Sequence, residues 1–342
     1  MRGIFFPGDG EIQIRDIDRV DPGKGEVVLA MKASGICGSD LAPLRMKAAM
    51  KGNPSDLKVV GHEPCGIVSE IGPGVDGLEL GDRVMMHHYT GCNRCNMCEM
   101  GYTQMCLVHH EIYGSTMDGG HQDFLVVPAS TCIHMPEGLD FASGAACACG
   151  TGTAFHALKR LSLNASETLV VFGQGPVGLS VTMFAAQMGI RVIAIDVVPE
   201  RLDLSRALGA DAVIDSSAQN AEQTIRELTK GLGSDGVLDA TGIPQVRLQA
   251  VDSVKSWGKV CFVGEGNETT FDISRQIIHK QLTIYGSWTF SRAGLEEVSR
   301  FVVDQKSPME KLITHTFDIG EAKKAYDLFI GGTTGKVVFT WD

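Results

Sequence analysis

The sequence predicts a two-domain α/β protein in which a small, irregular β-barrel precedes a doubly wound parallel sheet, and three observations carry that expectation. At 342 residues the chain is too long for one ordinary hydrophobic core. Up to about residue 150 it reads as short β-rich runs punctuated by glycine. Beyond that point the period changes, and apolar runs of strand length alternate with helical patterns.

The clearest early strands are 26–31, 66–71 and 82–86, with Gly72-Pro73-Gly74 and Gly77 as turns between the last two. The insert at 41–57, with Lys47, Lys51, Gly52 and Pro54, has no clear period; it is expected as a surface loop or short helix near a site entrance. Cys92, Cys95, Cys98 and Cys106 follow, with Asn93, Arg94, Asn96 and Gly101 between them, giving a compact, polar lobe with little to bury. Four thiolates at this spacing can close a tetrahedron around zinc, and such a metal supplies folding free energy directly. An iron–sulfur cluster and a redox thiol switch are the alternatives.

The run 168–172 has the length of a buried strand and leads into Gly173-Gln174-Gly175-Pro176-Val177-Gly178, which opens a helix to about Met188. The next strand, 190–195, ends at Asp196. Strand, glycine turn, helix, strand and terminal acid together form a dinucleotide-binding signature, in which the pyrophosphate sits on free N–H groups at the helix start. The Asp196 carboxylate can accept from ribose hydroxyls and would repel a 2′-phosphate, which favours NAD over NADP. Strands at 212–214, 236–238, 259–263 and 282–285 alternate with helices such as 199–208 and 221–229 and complete a six-stranded sheet. Helices at 295–304 and 321–330 and a strand at 336–340 close the chain.

Composition narrows the partners. Apolar residues make up 44% and charged residues 21%, and the net charge is −11 with an isoelectric point near 5.4, so nothing favours nucleic acid or an anionic membrane surface. The first nine residues lack the apolar core of a signal peptide, and no run approaches a membrane span; a cytoplasmic protein is expected. Of ten cysteines, four lie within residues 92–106 at ligand spacing, which favours metal over disulfides.

Three separate stretches carry the remaining chemistry: Gly35-Ile36-Cys37-Gly38-Ser39-Asp40, Gly61-His62-Glu63 and Cys149-Gly150-Thr151-Gly152. Two thiolates and one imidazole leave a fourth position open, as a catalytic zinc requires. With the cysteine run and the glycine turn, these motifs resemble the zinc-dependent medium-chain alcohol dehydrogenases over nearly the whole chain, in the polyol and threonine dehydrogenase branch. Asp118-Gly119-Gly120-His121-Gln122-Asp123-Phe124 adds to the likeness with that branch.

The resemblance implies a GroES-like catalytic domain from 1–150 and 288–342 and a Rossmann NAD-binding domain from 151–287, with the active site in the cleft between them. It implies two zinc ions per chain and NAD. Cys37, His62 and Cys149 would hold the catalytic ion, with Glu63 able to enter its coordination sphere, while Cys92, Cys95, Cys98 and Cys106 would hold the structural one. Cys147 competes for the third-ligand role, and counting back from His156 favours Cys149. Gly173, Gly175, Pro176, Val177, Gly178, Asp196 and Arg201 are the expected cofactor contacts. Zinc would act as a Lewis acid on the alcohol oxygen while hydride leaves to the nicotinamide. Ser39 matches the hydroxyl that takes the substrate proton, and Asp40 the carboxylate that orients His62. Ala42 stands where many relatives carry a relay histidine, so the proton's exit is open. His88 replaces an aromatic wall of simple-alcohol relatives, and Gly38 replaces a basic residue; both point to a polar secondary alcohol, a polyol or amino alcohol. Trp288 and Tyr113 are pocket candidates for which core packing is the favoured role. The alternatives are a dehydrogenase of simple aliphatic or aromatic alcohols, a non-catalytic zinc-stabilised dinucleotide-binding protein, and a zinc-free quinone or enoyl reductase. The strand at 282–285, as a sheet edge, is expected to pair with its own copy in a dimer or a dimer of dimers.

Overall fold

The computed structural model describes residues 1–53 and 56–342. Six parallel strands form the nucleotide sheet: β1 (Thr168–Phe172), β2 (Arg191–Asp196), β3 (Ala212–Asp215), β4 (Ser234–Asp239), β5 (Val254–Phe262) and β6 (Thr283–Gly286), in the order β3-β2-β1-β4-β5-β6. Helices cover both faces, which is why the central strand β1 reads Leu-Val-Val-Phe without polar alternation and is buried throughout from Leu169. The strand order reverses between β1 and β4, and a ligand crevice forms outside the carboxyl ends of the strands at such a point.

The other large sheet has seven strands. Its spine is Glu26–Ile36, long enough to pair with Phe124–Pro128 at its start, with Lys336–Thr340 at its end and with Pro64–Ile71 along its length. Register shifts after Val28 and after Met31 bend this strand, so that one ladder serves three partners and the sheet curls into a barrel. Val27, Leu29, Val68, Val84 and Leu125 fill the interior. The strands Ile313–Phe317 and Lys336–Thr340 belong to this sheet, so the chain leaves it, builds the parallel sheet and returns.

One helical rod joins the two sheets. Asp140 caps its start by accepting the Ser143 N–H at 2.9 Å, and the rod runs through Phe141–Ala146, a π turn at Cys147–Thr151, and Gly152–Leu161. A hydrophobic cluster continues along it, from Ala33, Cys65 and Met85 of the barrel to Leu169, Phe184 and Val298 around the parallel sheet.

The 41–57 insert resolves into a short helix, Leu41–Arg45, and a 3₁₀ turn, Ala48–Met50. Both lie against the Asp9-Gly10 turn, where Asp9 and Gly10 donate to the carbonyls of Met46 and Leu44. Pro54 and Ser55 of the insert lie outside the described residues. Among the described residues no helix is long and apolar enough to cross a membrane.

Candidate metal and cofactor site

Cys37 stands where the barrel's spine strand ends, and the 3₁₀ turn Gly38–Asp40 follows at once. Asp40 uses one oxygen to accept the Cys37 N–H at 2.9 Å and the other to hold His62 Nδ1 at 3.0 Å. A carboxylate oxygen accepts, so Nδ1 keeps its proton and donates it to Asp40, and Nε2 is the nitrogen free to ligate. Ser39 Oγ lies 3.2 Å from that Nε2. Burial depresses the His62 imidazole, but Asp40 and Cys37 outweigh it and hold it well above its usual value, a charge that a dication would replace.

Cys149 arrives from the π turn, whose widened ring re-aims one side chain within an otherwise regular helix. Its thiol hydrogen-bonds Cys37; that bond holds Cys37 well below the thiol range and pushes Cys149 well above it. Glu63 is fully buried, with Oε2 against Lys336 Nζ and Oε1 without a hydrogen-bond partner. Burial raises its carboxyl to about 8 in spite of Lys336. The ligand atoms of Cys37, His62, Glu63 and Cys149 all lie within 4.8 Å of one another. Two sulfurs sharing a proton, an oriented imidazole and an orphaned carboxylate oxygen fit a zinc ion, which would satisfy all four.

His88 is buried beside this set, its ring centroid 5.0 Å from that of His62 and 4.3 Å from that of Tyr89. Nδ1 lies 3.3 Å from the Ala148 carbonyl, and burial holds the ring well below its usual pKa, so it is neutral. Tyr113 belongs to the barrel core. Trp288 does not take the core role favoured for it: it is 42% exposed, with its ring 5.8 Å from Tyr89 and 6.5 Å from His110.

Cys92, Cys95, Cys98 and Cys106 form a second set with sulfurs within 4.8 Å of one another. The N–H groups of Cys92 and Val108 donate to Cys106 Sγ at 3.3 and 3.5 Å, and such bonds, the Cys92 amide first, bring its thiol down to about 5. A Cβ on Gly91 would stand 2.7 Å from Cys98 Sγ, so only glycine fits there. His87 Nε2 and Gln104 Nε2 meet the Phe290 carbonyl at 3.0 and 3.1 Å and tie the lobe to the segment after β6. The lobe is less polar than expected, because it leaves Met100, Met105, Leu107 and Val108 exposed where four sulfurs, rather than a core, organise it.

In the glycine turn each glycine answers a different constraint. Gly173 has a φ of +85°, and a Cβ there would meet Thr241 Cγ2 at 2.6 Å; a Cβ on Gly178 would lie 1.7 Å from the Gly173 carbonyl oxygen. Gly175 has nothing within 4 Å of its Cβ position, leaving bare backbone open to a pyrophosphate. Pro176 opens the helix Pro176–Gln187, where its missing N–H costs nothing. Val177 Cγ2 is 3.8 Å from the Cβ position of Gly150, next to Cys149. Asp196 accepts from the backbone N–H of Gln174 at 2.5 Å, Val197 at 2.7 Å and Val198 at 3.0 Å, so it also pins the glycine turn. Arg201 Nε is buried without a hydrogen-bond partner.

Two family models match the chain: an alcohol dehydrogenase GroES-like domain over residues 23–137 and a zinc-binding dehydrogenase over residues 176–304. The chain belongs to the zinc-dependent medium-chain alcohol dehydrogenases. It is 35% identical to the uncharacterized zinc-type alcohol dehydrogenase-like protein YphC of Escherichia coli K12, covering 100% of this chain and 99% of that one. A sorbitol dehydrogenase of Halalkalibacterium halodurans is 30% identical, with 97% and 96% covered. Among solved structures it resembles the short chain alcohol dehydrogenase rspB of Escherichia coli CFT073 complexed with NADH, at a TM-score of 0.89 and 26% identity over 100% and 99% of the chains.

In this dehydrogenase, sequence reasoning missed Lys336, which it placed in a closing strand. The ammonium is 1% exposed, pairs with Glu63 and donates to the Ile36 carbonyl at 2.8 Å. Burial works against its charge, but Glu63, Cys37 and Cys149 hold its pKa above the usual value. The available signal was one lysine heading the apolar run Val337-Val338-Phe339.

Proposed function

We propose that this dehydrogenase oxidises a polar secondary alcohol, a polyol or an amino alcohol, with transfer of hydride to NAD. One observation carries the reading: the four ligand atoms of Cys37, His62, Glu63 and Cys149 converge within 4.8 Å, with Ser39 Oγ beside His62 Nε2. When bound, zinc supplies a Lewis acid for the alcohol oxygen and NAD supplies the hydride acceptor. Ser39 takes the proton that leaves the alcohol, and Asp40 holds the His62 ring in register. His88, buried and neutral, offers the substrate a polar wall where an aromatic ring would offer none, which supports a hydroxyl-rich or amino-bearing substrate over a simple alcohol. Residues 151–287 serve as the nucleotide half. Gly173, Gly175, Pro176, Val177 and Gly178 cradle the pyrophosphate, Asp196 addresses the adenosine ribose, and Arg201 brings an unpaired buried donor. The second cysteine set holds a structural ion, and the protein works in the cytoplasm. The likeness to a sorbitol dehydrogenase supports the polyol half of this reading.

The test is a panel of polyols, amino alcohols and simple alcohols assayed for NAD reduction, beside a metal count. Two zinc ions per chain and turnover of a polyol or amino alcohol well above that of the simple alcohols are expected. Preference for simple alcohols would sink the substrate class, and full activity with one metal per chain would sink the two-site reading.

A further inference from the structure

Asp239 ends β4 at the point where the strand order reverses, and it is wholly buried. One oxygen accepts from Thr241 N at 2.9 Å and Thr241 Oγ1 at 2.6 Å, and the other accepts from Gly242 N at 3.3 Å, so the carboxylate folds the loop after β4 around itself. Arg247, 13% exposed on the helix Pro244–Ser253, sets its Nε 3.6 Å from that second oxygen. Its remaining nitrogens reach the loop after β5: Nη1 donates to Asn267 O at 2.8 Å and Thr269 Oγ1 at 3.3 Å, and Nη2 donates to Gly264 O at 2.7 Å and Gly266 O at 2.8 Å. Asn267 Nδ2 returns a bond to Gly242 O at 3.0 Å. The two loops touch so closely that a Cβ on Gly264 would lie 2.1 Å from Gly242 N.

Both loops leave the carboxyl ends of neighbouring parallel strands beside the reversal of strand order, where the cofactor crevice is expected. Thr241 packs on Gly173 of the glycine turn. One guanidinium therefore ties the loop that packs on the pyrophosphate turn to the loop after β5, using four acceptors that a single ammonium cannot satisfy together.

We infer that Arg247, held by Asp239, is a positioning residue that locks the 240–243 and 264–269 loops in the arrangement that receives the nicotinamide half of NAD. It touches neither zinc ligands nor glycine turn; it acts through the loops. This rests on the assignment of NAD to the crevice, and the unmodified protein's NADH affinity tests that assignment separately.

The experiment compares the full-length protein with Arg247→Ala, Arg247→Lys and Asn267→Ala. NADH dissociation constants are read from fluorescence, amide hydrogen exchange of 264–269 is followed without cofactor, and zinc is counted per chain. Arg247→Ala is expected to exchange faster across 264–269 and to bind NADH about tenfold more weakly, the scale of one lost set of charged hydrogen bonds. Arg247→Lys should resemble Arg247→Ala, because it keeps the charge beside Asp239 but not the fork, and Asn267→Ala should fall between. Zinc content should not change. If Arg247→Ala proves too unstable to purify, Arg247→Lys and Asn267→Ala decide the matter. Loop exchange and NADH affinity equal to those of the unmodified protein in these variants, with only a lower melting temperature, would overturn the inference.

Discussion

Lys336 shows what a single buried charge does for this site. Its ammonium and the Glu63 carboxyl are both shut off from water and meet directly, with the Cys37 and Cys149 sulfurs also favouring the ammonium. Removing one partner of such a pair leaves the other either as an uncompensated charge or, for Glu63, obliged to take up a proton, at a cost of up to about 3–5 kcal/mol. Lys336→Met is therefore expected to lower the denaturant midpoint by a corresponding amount, with the double variant Lys336→Met, Glu63→Gln recovering most of the loss. Equal stability of the single and double variants would show that the ion pair contributes nothing beyond packing. Residues of this kind are the least legible in sequence. Cys37, His62, Ser39 and Asp40 announce themselves because each lies in a short motif whose chemistry is local. Lys336 and Arg247 gain their roles only when strands distant in sequence come together, and no local pattern records that meeting.

At the scale of elements, the cysteine lobe and the helical rod make opposite cases. The lobe has one short helix, Asn96–Glu99, one 3₁₀ turn, Thr103–Met105, and a surface that leaves four apolar side chains exposed, so its organisation depends on the four sulfurs. A metal bound only by the folded form stabilises it by mass action, and losing one ligand removes most of that term. Cys95→Ala is expected to lower the melting temperature and to leave one zinc per chain, while dialysis against a chelator should bring the unmodified protein toward the same melting temperature. An unchanged melting temperature with one zinc lost would refute a structural role. This lobe was readable from spacing alone. The rod was not, because a π turn inside a helix uses the same apolar and small residues as the α turns around it, and Cys149 announces a ligand without announcing the geometry that delivers it. Strand existence in the parallel sheet was likewise legible from continuous apolar runs, whereas the 41–57 insert, without a clear period, gave no hint that it would dock on the Asp9-Gly10 turn.

The whole molecule leaves one edge of its parallel sheet open. Among the described residues β6 pairs only with β5, and Thr283, Ile284 and Gly286 on it are exposed. An uncovered terminal strand presents a row of backbone donors and acceptors beside apolar side chains, and proteins rarely leave such an edge free. Ile273 and Ile278 in the segment just before it are exposed as well, which extends the apolar surface next to the edge. A two-fold axis beside β6 would pair the strand with its own copy, satisfy both rows at once and bury the isoleucines in a self-complementary contact. The expected species in solution is accordingly a dimer of the 36.6 kDa chain, or a pair of such dimers. Light scattering coupled to size exclusion measures it directly, and Ile284→Lys, which sets two like charges against each other across the axis, should shift the population toward monomer. A chain that sediments as a fully active monomer at nanomolar concentration, indifferent to Ile284→Lys, would mean that the β6 edge is protected by some means other than its own copy.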